Sequence, residues 1–273
     1  MSLIPKEIET HYRQTKESER LTGPLGELER LRTQGILGRY LPAAPATIYD
    51  IGGAAGVYAF PLAEQAYDVH LIDPVEPHLE QARSHATASG VKLASIVQGD
   101  ARHLEVPSGS ADAVLLLGPL YHLVEPQDRR RALREARRIL KRHGILFAAA
   151  ISRFASLLAG LAFDAFRDAD FRAIVAADLS SGQHRNPTSQ LAYFTTAYFH
   201  RPEELARDVR DAGFGQVQIL AIEGPVWSAA QFQKAWEDPP QRQSLMEFLS
   251  SIEGEPSVQG ASAHIIAVAH DAN

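Results

Sequence analysis

The feature that most constrains the fold is a regular alternation of short apolar segments with helical segments between residues 46 and 151. The apolar segments lie at 47–51, 68–73, 92–97, 111–117 and 144–151. Helical patterns at 57–65, 76–88 and 128–142 separate several of them, and Gly144 is expected to end the last of these helices. This alternation predicts βαβ units with right-handed crossovers, and therefore an α/β fold whose parallel sheet is covered by helices on both faces.

The flanking regions predict three further parts. Segments 6–20 and 25–40 are rich in Glu, Arg and Leu and predict two helices, so residues 1–45 are interpreted as an N-terminal helical lid. Residues 152–197 contain two apolar helical patterns with no strand between them, which predicts an inserted helical cap. The core, residues 46–151 and 198–273, then continues with β-favouring residues at 193–199, a helix at 202–211, a strand at 216–222, a helical stretch at 228–251 and a last strand at 263–270.

Charge and composition exclude several classes of protein. The 273 residues carry 27 Lys and Arg against 33 Asp and Glu, a net charge of -6, so a basic nucleic-acid-binding surface is not expected. No apolar run approaches the roughly 20 residues that span a bilayer, and we expect no membrane partner. The first residues lack the apolar stretch of a secretory signal, and there is no cysteine. These features favour a cytoplasmic protein without thiolate metal sites.

A glycine cluster follows the first predicted strand and marks a ligand site. Gly52, Gly53 and Gly56 stand between strand 47–51 and the next helix, where a turn can bring backbone amides close to a ligand. The dinucleotide pattern GxGxxG fails, because Ala54 and Val57 occupy its second and third glycine positions. A phosphate-binding P-loop fails as well, since no lysine occurs between residues 16 and 92.

The segment 48–59 instead resembles the first motif of the class I S-adenosylmethionine-dependent methyltransferases. Its pattern of an acid followed by alternating glycines is matched at Asp50, Gly52 and Gly56, with Ala54 in place of the middle glycine. Further matches follow in order: Asp73 ends the second strand, residues 99–101 follow the third, 116–123 end the fourth, and 198–205 with 211–214 precede the sixth. The resemblance covers roughly residues 45–150 and 198–270. It implies a Rossmann-like sheet of seven strands whose last strand, 264–269, runs antiparallel between the fifth and the sixth.

The resemblance also implies an S-adenosylmethionine site at the strand ends. Asp73 is expected to accept both ribose hydroxyls in a bidentate pair. Asp100 would accept from the adenine amino group, while the Ala101 amide donates to a ring nitrogen. Asp50 is expected near the ammonium group of the methionine end, directly or through water. The remaining implied residues are Gly52, Gly53 and Gly56 beside the methionine end, Pro74, Leu117 and Leu120 around the adenine, and Tyr12 and Arg20 for the methionine carboxylate.

His122 is the candidate catalytic residue, because it follows the fourth strand, where the methyl group and its acceptor meet in this fold. Packing or hydrogen bonding under the active site is an equally good interpretation of this histidine, and Tyr121 beside it is expected to shape the acceptor pocket. No metal-binding pattern occurs among the histidines, and His78 and His85 are interpreted as surface residues. The arginine-rich run at 129–138 is interpreted as a solvated helix face.

These features predict a methyltransferase that transfers a methyl group directly, in line, to a small-molecule acceptor. The fourth strand ends in GlyProLeuTyr and lacks the AsnProProTyr signature of enzymes that methylate nucleic-acid bases. Two alternatives stay open: a methyltransferase-like binding or regulatory protein without turnover, and an NAD-dependent oxidoreductase. The apolar cap is expected to cover the acceptor pocket together with the N-terminal helices. A homodimer interface is the alternative role for the cap.

Overall fold

A computed structural model describes residues 4–14, 21–188 and 190–271. Its strands are β1 (Thr47–Ile51), β2 (Asp68–Asp73), β3 (Ser95–Gln98), β4 (Ala111–Leu116), β5 (Leu140–Ile151), β6 (Gln183–His184), β7 (Ala197–Tyr198), β8 (Phe214–Ala221) and β9 (His264–Asp271). Seven of them form one sheet in the order β3-β2-β1-β4-β5-β9-β8, and β6 pairs with β7 separately. β1 to β5 are parallel, whereas β9 runs antiparallel to both β5 and β8. The predicted seven-stranded sheet with its antiparallel last strand is confirmed.

Helices cover both faces of this sheet. The α-helices of the described residues are α1 (Lys6–Gln14), α2 (Pro24–Tyr40), α3 (Ala59–Glu64), α4 (Glu76–Ser89), α5 (Pro119–His122), α6 (Pro126–Ile139), α7 (Ala155–Ala162), α8 (Ala169–Ser181), α9 (Pro202–Asp211), α10 (Phe232–Glu237), α11 (Pro239–Ile252) and α12 (Pro256–Gln259). One buried cluster packs α6 and α9 on the sheet, and the other packs α2, α3 and α4 on the opposite face. The central strands β1, β4 and β5 are therefore buried on both sides over most of their length, which explains their continuous apolar runs.

Three predicted boundaries are wrong for identifiable reasons. The helix expected over 128–142 ends at Ile139, since Leu140 already pairs with Ala111 as the start of β5, and Gly144 lies inside that strand. The helical stretch expected over 228–251 is split, because Asp238 caps α11 and is followed by two prolines. The strand expected over 92–97 lies instead at 95–98, as β3.

The segment 152–197, predicted as an inserted cap, contains α7 and α8 and no strand of the main sheet among its described residues. Residues 193–199, read as β-favouring, supply only the short strand β7, which pairs with β6 rather than with the main sheet. Among the described residues, no helix combines the length and the apolarity that crossing a bilayer requires.

Candidate active site

The turn after β1 needs glycine at its first position. Gly52 has a φ of 72°, and a Cβ on it would lie 2.6 Å from Cγ of Pro119. Its amide donates to the carbonyl of Ile72 at 2.7 Å, so the turn is fastened to the end of β2. A side chain at this position would therefore strain the backbone and displace α5.

Ala54 replaces the middle glycine of the motif without opening the turn. It has a φ of 49°, in the left-handed region that an alanine adopts only at a cost. Its amide donates to Oδ2 of Asp73 at 2.9 Å. This hydrogen bond ties the turn to the carboxylate at the end of the neighbouring strand and offsets the backbone strain.

Asp73 is buried and accepts hydrogen bonds at both of its carboxylate oxygens. It is 4% exposed, and its Oδ1 accepts from the amide of Val75 at 2.9 Å. Nδ1 of His78 lies 3.2 Å from the same oxygen. The prediction that His78 is a surface residue is wrong: it lies in the first turn of α4, is 4% exposed and faces Asp73. Its position five residues after the strand-end acid was the available signal. The prediction for His85 holds, since its side chain is exposed.

Asp100 is held by an arginine that the sequence interpretation missed. Arg102 donates to Asp100 through its backbone amide and its guanidinium, at 2.6 to 3.0 Å, and to Oδ2 of Asp128 at 2.9 Å. These hydrogen bonds, with that to Asp100 foremost, raise the pKa of Arg102. Much of the acceptor capacity of Asp100 is thus taken up within the chain.

Asp50 lies behind the glycine turn, fully buried, and neither of its carboxylate oxygens has a hydrogen-bond partner among the described residues. Burial raises the pKa of this carboxyl to about 7, and the charge of Asp73 adds to the shift. Gly53 is in contact with it, since a Cβ on Gly53 would overlap the Asp50 carboxylate. Asp50 and Gly53 therefore lie behind the cavity wall rather than in it.

His122 is the last residue of α5, and its ring is hydrogen-bonded to Tyr12 of α1. Oη of Tyr12 lies 2.5 Å from its Nε2, and its Nδ1 lies 3.4 Å from the carbonyl oxygen of Thr196. A carbonyl only accepts, so Nδ1 carries the proton and Nε2 accepts from the Tyr12 hydroxyl. Burial, as the main cause, lowers the pKa of His122 to about 4. The ring is therefore neutral at physiological pH.

These groups line one cavity of about 250 Å³ at the carboxyl ends of β1, β2 and β4. Seven of the predicted site residues lie in its wall: Tyr12, Gly52, Asp73, Pro74, Asp100, Ala101 and His122. Tyr121 lies in the wall as well. Further lining residues that the sequence interpretation missed include Ala54, His78, Arg102 and Pro119. A cavity flanked by a glycine turn and convergent polar groups at the strand ends is the usual ligand site of this sheet type.

The remaining predicted residues lie elsewhere. Leu120 is fully buried in the core beneath α5, and Leu117 packs against the other face of the sheet, so neither borders the cavity as expected. Gly56 lies beyond the turn, where its φ of 87° and the nearby ring of Phe60 require glycine. Arg20 is outside the described residues.

The cover of the cavity comes from α1 and not from the cap. Ile4, Pro5, Ile8 and Tyr12 line the cavity, whereas none of the described residues of the segment 152–197 does. The expectation that the cap helices cover the pocket is therefore wrong for this part of the chain. Only the end of the segment approaches the site, where Phe194 packs against the ring of His122 at 5.7 Å between centroids.

The arginine-rich face of α6 is partly buried, contrary to the prediction. Arg129 is 3% exposed and donates to the carbonyl oxygens of Leu123 and Val124, each at 2.9 Å. Its guanidinium also lies over the ring of Tyr198, 3.9 Å from the centroid. Arg130 and Arg131 are exposed as predicted. Arg129 thus fixes the segment that follows α5, next to the cavity.

The seven-stranded sheet and the site at its strand ends define a Rossmann-like methyltransferase fold, and comparisons with known proteins agree. A family model described as a methyltransferase domain matches residues 48–144. A ubiquinone biosynthesis O-methyltransferase of Caulobacter vibrioides is 29% identical over 118 residues, 43% of this chain and 46% of that protein. One of the same name from Xanthomonas axonopodis pv. citri is 27% identical over 208 residues, 75% of each.

A solved structure shares the fold over nearly the whole chain. The 1,6-didemethyltoxoflavin-N1-methyltransferase of Burkholderia thailandensis, with bound 1,6-didemethyltoxoflavin and S-adenosylhomocysteine, has a TM-score of 0.58 at 16% identity and covers 98% of this chain and 87% of that one. The alignment with the Caulobacter protein spans about half of that relative's length. The matched domain, the similar O-methyltransferases and the shared fold are consistent with the class I S-adenosylmethionine-dependent methyltransferase family.

Proposed function

We propose that this chain is an S-adenosylmethionine-dependent methyltransferase that acts on a hydroxyl group of a small organic acceptor. The observation that carries the proposal is the cavity at the strand ends, which brings Asp73 and the glycine turn to one wall and the neutral His122 to another. A nucleoside can lie against the first wall and an acceptor against the second.

The residues present suit the cofactor. Asp50 is a buried carboxylate without a partner among the described residues, and such a group is stabilised by a nearby cation such as the ammonium group of the methionine end. Asp73 and Pro74 would hold the ribose and the adenine, with Asp100 and Ala101 at the adenine edge. When bound, S-adenosylmethionine supplies an electrophilic methyl group on a positively charged sulfur.

His122 limits the chemistry that the site can perform. A base with a pKa of about 4 cannot ionise a phenol with a pKa near 10 beforehand, because six pKa units correspond to about 8 kcal/mol. It can accept a hydrogen bond from the acceptor hydroxyl and take the proton as the oxygen becomes cationic during methylation. His122 therefore aligns the oxygen and removes its proton late.

Tyr12 supports a hydroxyl acceptor, because its own phenol already donates to Nε2 of His122. An acceptor hydroxyl would replace it there as α1 moves aside. The names of the similar proteins agree with this chemistry: ubiquinone biosynthesis O-methyltransferases and a 2-methyl-6-phytyl-1,4-hydroquinone methyltransferase. The volume of the cavity, about 250 Å³, favours a small molecule over a polymer.

The test is the release of S-adenosylhomocysteine from S-adenosylmethionine with matched phenol, hydroquinone, amine and carboxylate acceptors. We expect turnover with one or more hydroxyl acceptors. The change His122→Ala should lower kcat about 100-fold, at the low end for a proton-accepting side chain, and leave the affinity for S-adenosylhomocysteine within twofold. Turnover with amines alone would refute the hydroxyl acceptor.

The pH dependence provides a second check on His122. Its neutral form is the active one, and burial lowers its pKa to about 4, so acidification from pH 8 to pH 5.5 should leave this group neutral. The acid limb of kcat should therefore lie near pH 4 to 5. A limb close to 6.5, the ordinary histidine pKa, would show that His122 is not buried as described.

A binding or regulatory protein without turnover is the second candidate, because the hydroxyl of Tyr12 occupies the atom of His122 that an acceptor would use. Tight binding of S-adenosylmethionine with no turnover for any acceptor, in the wild type and in Tyr12→Phe, would favour it. Titration with NADH tests the oxidoreductase alternative. The cytoplasmic location, the division into lid, core and cap, and the homodimer stay predictions.

A further inference from the structure

We propose that His78 is a second ribose-binding residue, whose Nε2 accepts one of the two ribose hydroxyls while Asp73 accepts the other. The inference rests on the proposed function, because it concerns the nucleoside of the same cofactor. It replaces the bidentate pairing that the sequence resemblance assigns to Asp73 alone.

The hydrogen bonds of Asp73 leave too little acceptor capacity for two hydroxyls. An ionised carboxylate has about four lone-pair sites. Three are already used, by the amides of Ala54 and Val75 and by Nδ1 of His78, at 2.9, 2.9 and 3.2 Å. Oδ1 accepts two of these bonds and Oδ2 accepts one, so a single site remains on Oδ2. A ribose offers two neighbouring O–H donors.

The hydrogen bond from His78 to Asp73 leaves the other ring nitrogen as the missing acceptor. Ionised Asp73 can only accept, so the hydrogen bond between them requires the proton on Nδ1 of His78. In the neutral ring Nε2 then carries a lone pair. That atom is buried and has no hydrogen-bond partner among the described residues. His78 also lines the cavity beside Asp73. The unused acceptor Nε2 therefore lies next to the carboxylate that has too few free acceptor sites for both ribose hydroxyls.

No side chain described around His78 competes for this role. The ring of Tyr12 lies edge-on at 5.4 Å between centroids, but its hydroxyl is directed to His122. A buried acceptor without a donor is costly, and a ligand hydroxyl removes that cost. His78 thus has two functions: its Nδ1–H fixes the Asp73 carboxylate, and its Nε2 binds the ligand.

Calorimetric binding of S-adenosylhomocysteine and of its 2′-deoxy and 3′-deoxy analogues tests the proposal. For the wild type, each deoxy analogue should bind about tenfold more weakly than the parent, the loss of one hydrogen bond. The variant His78→Asn retains an N–H near the position of Nδ1 and lacks Nε2. It should bind S-adenosylhomocysteine about tenfold more weakly and lose its preference for one of the two hydroxyls while keeping the other.

His85→Asn, an exposed position on the same helix, is the matched control and should bind all three compounds as the wild type does. If His78→Asn keeps the wild-type preference for both hydroxyls, His78 only positions Asp73 and the proposal is wrong. A wild-type protein that binds no S-adenosylhomocysteine contradicts the proposed function itself, which is a different result.

Nitrogen NMR of the histidine rings in the wild-type protein gives a readout that does not depend on a variant folding. Nε2 of His78 should show the shift of a nitrogen without a proton in the free protein. This chemical shift should change on addition of S-adenosylhomocysteine. It should change about half as much or less with the deoxy analogue that lacks the hydroxyl bound by Nε2. A protonated Nε2, or a resonance whose shift does not change when the ligand is added, would overturn the assignment.

Discussion

The cavity has two walls of different construction. The strand-end rim is formed by Gly52, Ala54, Asp73, Asp100 and Ala101. Backbone hydrogen bonds such as the one from the Gly52 amide to the Ile72 carbonyl fasten it to the sheet, and the carboxylates of Asp73 and Asp100 accept further hydrogen bonds within the chain. The α1 cover, residues 4–14, is attached through side chains: the hydrogen bond from Tyr12 to His122, ring contacts, and a long bond from Thr195 Oγ1 to the Glu7 carbonyl at 3.5 Å.

The rim is therefore preorganised for its ligand, whereas the cover can move. The rim cannot shift without breaking strand pairing, so it suits a nucleoside that must be held in one position. The cover can separate from the site by giving up a few side-chain contacts, so it suits the entry of an acceptor. Substitutions at the rim and in the cover should therefore have separable effects on ligand binding, stability and local opening.

The largest effect is expected for Asp50→Asn behind the rim. The pKa of Asp50 is raised in the folded state from 3.8 to about 7, so folding binds a proton, and wild-type stability falls as pH rises from about 4 to 7. The asparagine variant lacks this loss. Relative to wild type, its free energy of unfolding should rise by up to about 4 kcal/mol over that range.

Denaturant unfolding at several pH values measures the effect of Asp50→Asn. The matched control is Asp112→Asn, because hydrogen bonds from Lys141 and from the Thr47 amide lower the pKa of Asp112 despite its partial burial. Its effect should have the opposite sign: wild type should be the more stable protein above pH 4, and the difference should vanish in acid. Parallel pH profiles for wild type and Asp50→Asn would contradict the buried, unpaired carboxylate.

Asp73→Ala should weaken S-adenosylmethionine binding by roughly 2 to 3 kcal/mol, because it removes a charged acceptor from a buried site. It also leaves the Ala54 amide and His78 without their partner. Calorimetry on the folded variant measures the loss. Asp68→Ala, at the exposed start of the same strand, should bind like wild type. Equal affinities of Asp73→Ala and Asp68→Ala for S-adenosylmethionine would show that Asp73 does not bind the cofactor.

Gly52→Ala should destabilise the protein by about 2 kcal/mol, because the new Cβ meets both a left-handed backbone and Pro119. Gly90→Ala separates the two causes: Gly90 has a similar φ of 76° but nothing within 4 Å of its Cβ, so about 1 kcal/mol is expected. Denaturant unfolding gives both values. If the two losses are equal, the approach of Pro119 to the turn contributes nothing.

Tyr12→Phe tests the cover. It should lower the free energy of unfolding by about 1 kcal/mol or less, the usual net contribution of one hydrogen bond. The amides of α1 should exchange with deuterium faster in the variant, while those of β1 and β2 stay protected. Faster exchange in the strands as well would show that cover and rim unfold together, and would contradict the independent opening of α1.

The smallest effect is expected in the segment 152–197. Leu161 and Phe163 are 67% and 62% exposed, and neither lines the cavity. Leu161→Ser and Phe163→Ser should therefore leave the affinity for S-adenosylhomocysteine within twofold. Solution scattering on the same proteins tests the predicted homodimer: a dimer that these changes convert to a monomer would place its interface on this surface.

The sheet and the rim could be predicted from the amino-acid sequence. Strand ends are local features: Asp73 ends a β-favouring run, and the glycines after Asp50 must form a turn, so the side chains that meet at the carboxyl edge follow from strand order. Five of the predicted residues, Gly52, Asp73, Pro74, Asp100 and Ala101, lie in the cavity wall for this reason, and the antiparallel last strand came with the family resemblance.

The inward-facing side of each short element could not be predicted from the sequence and follows from long-range packing. One turn of helix, α5, buries Leu120 and turns Tyr121 and His122 to the cavity, and four residues are too few for a periodic pattern to reveal this. His78 and Arg129 lie in helices whose charged or polar sequence suggests a surface, yet Asp73 and the carbonyls after α5 provide partners that make their burial favourable. Burial of a polar side chain depends on groups far away in sequence, and the folded chain alone brings them together.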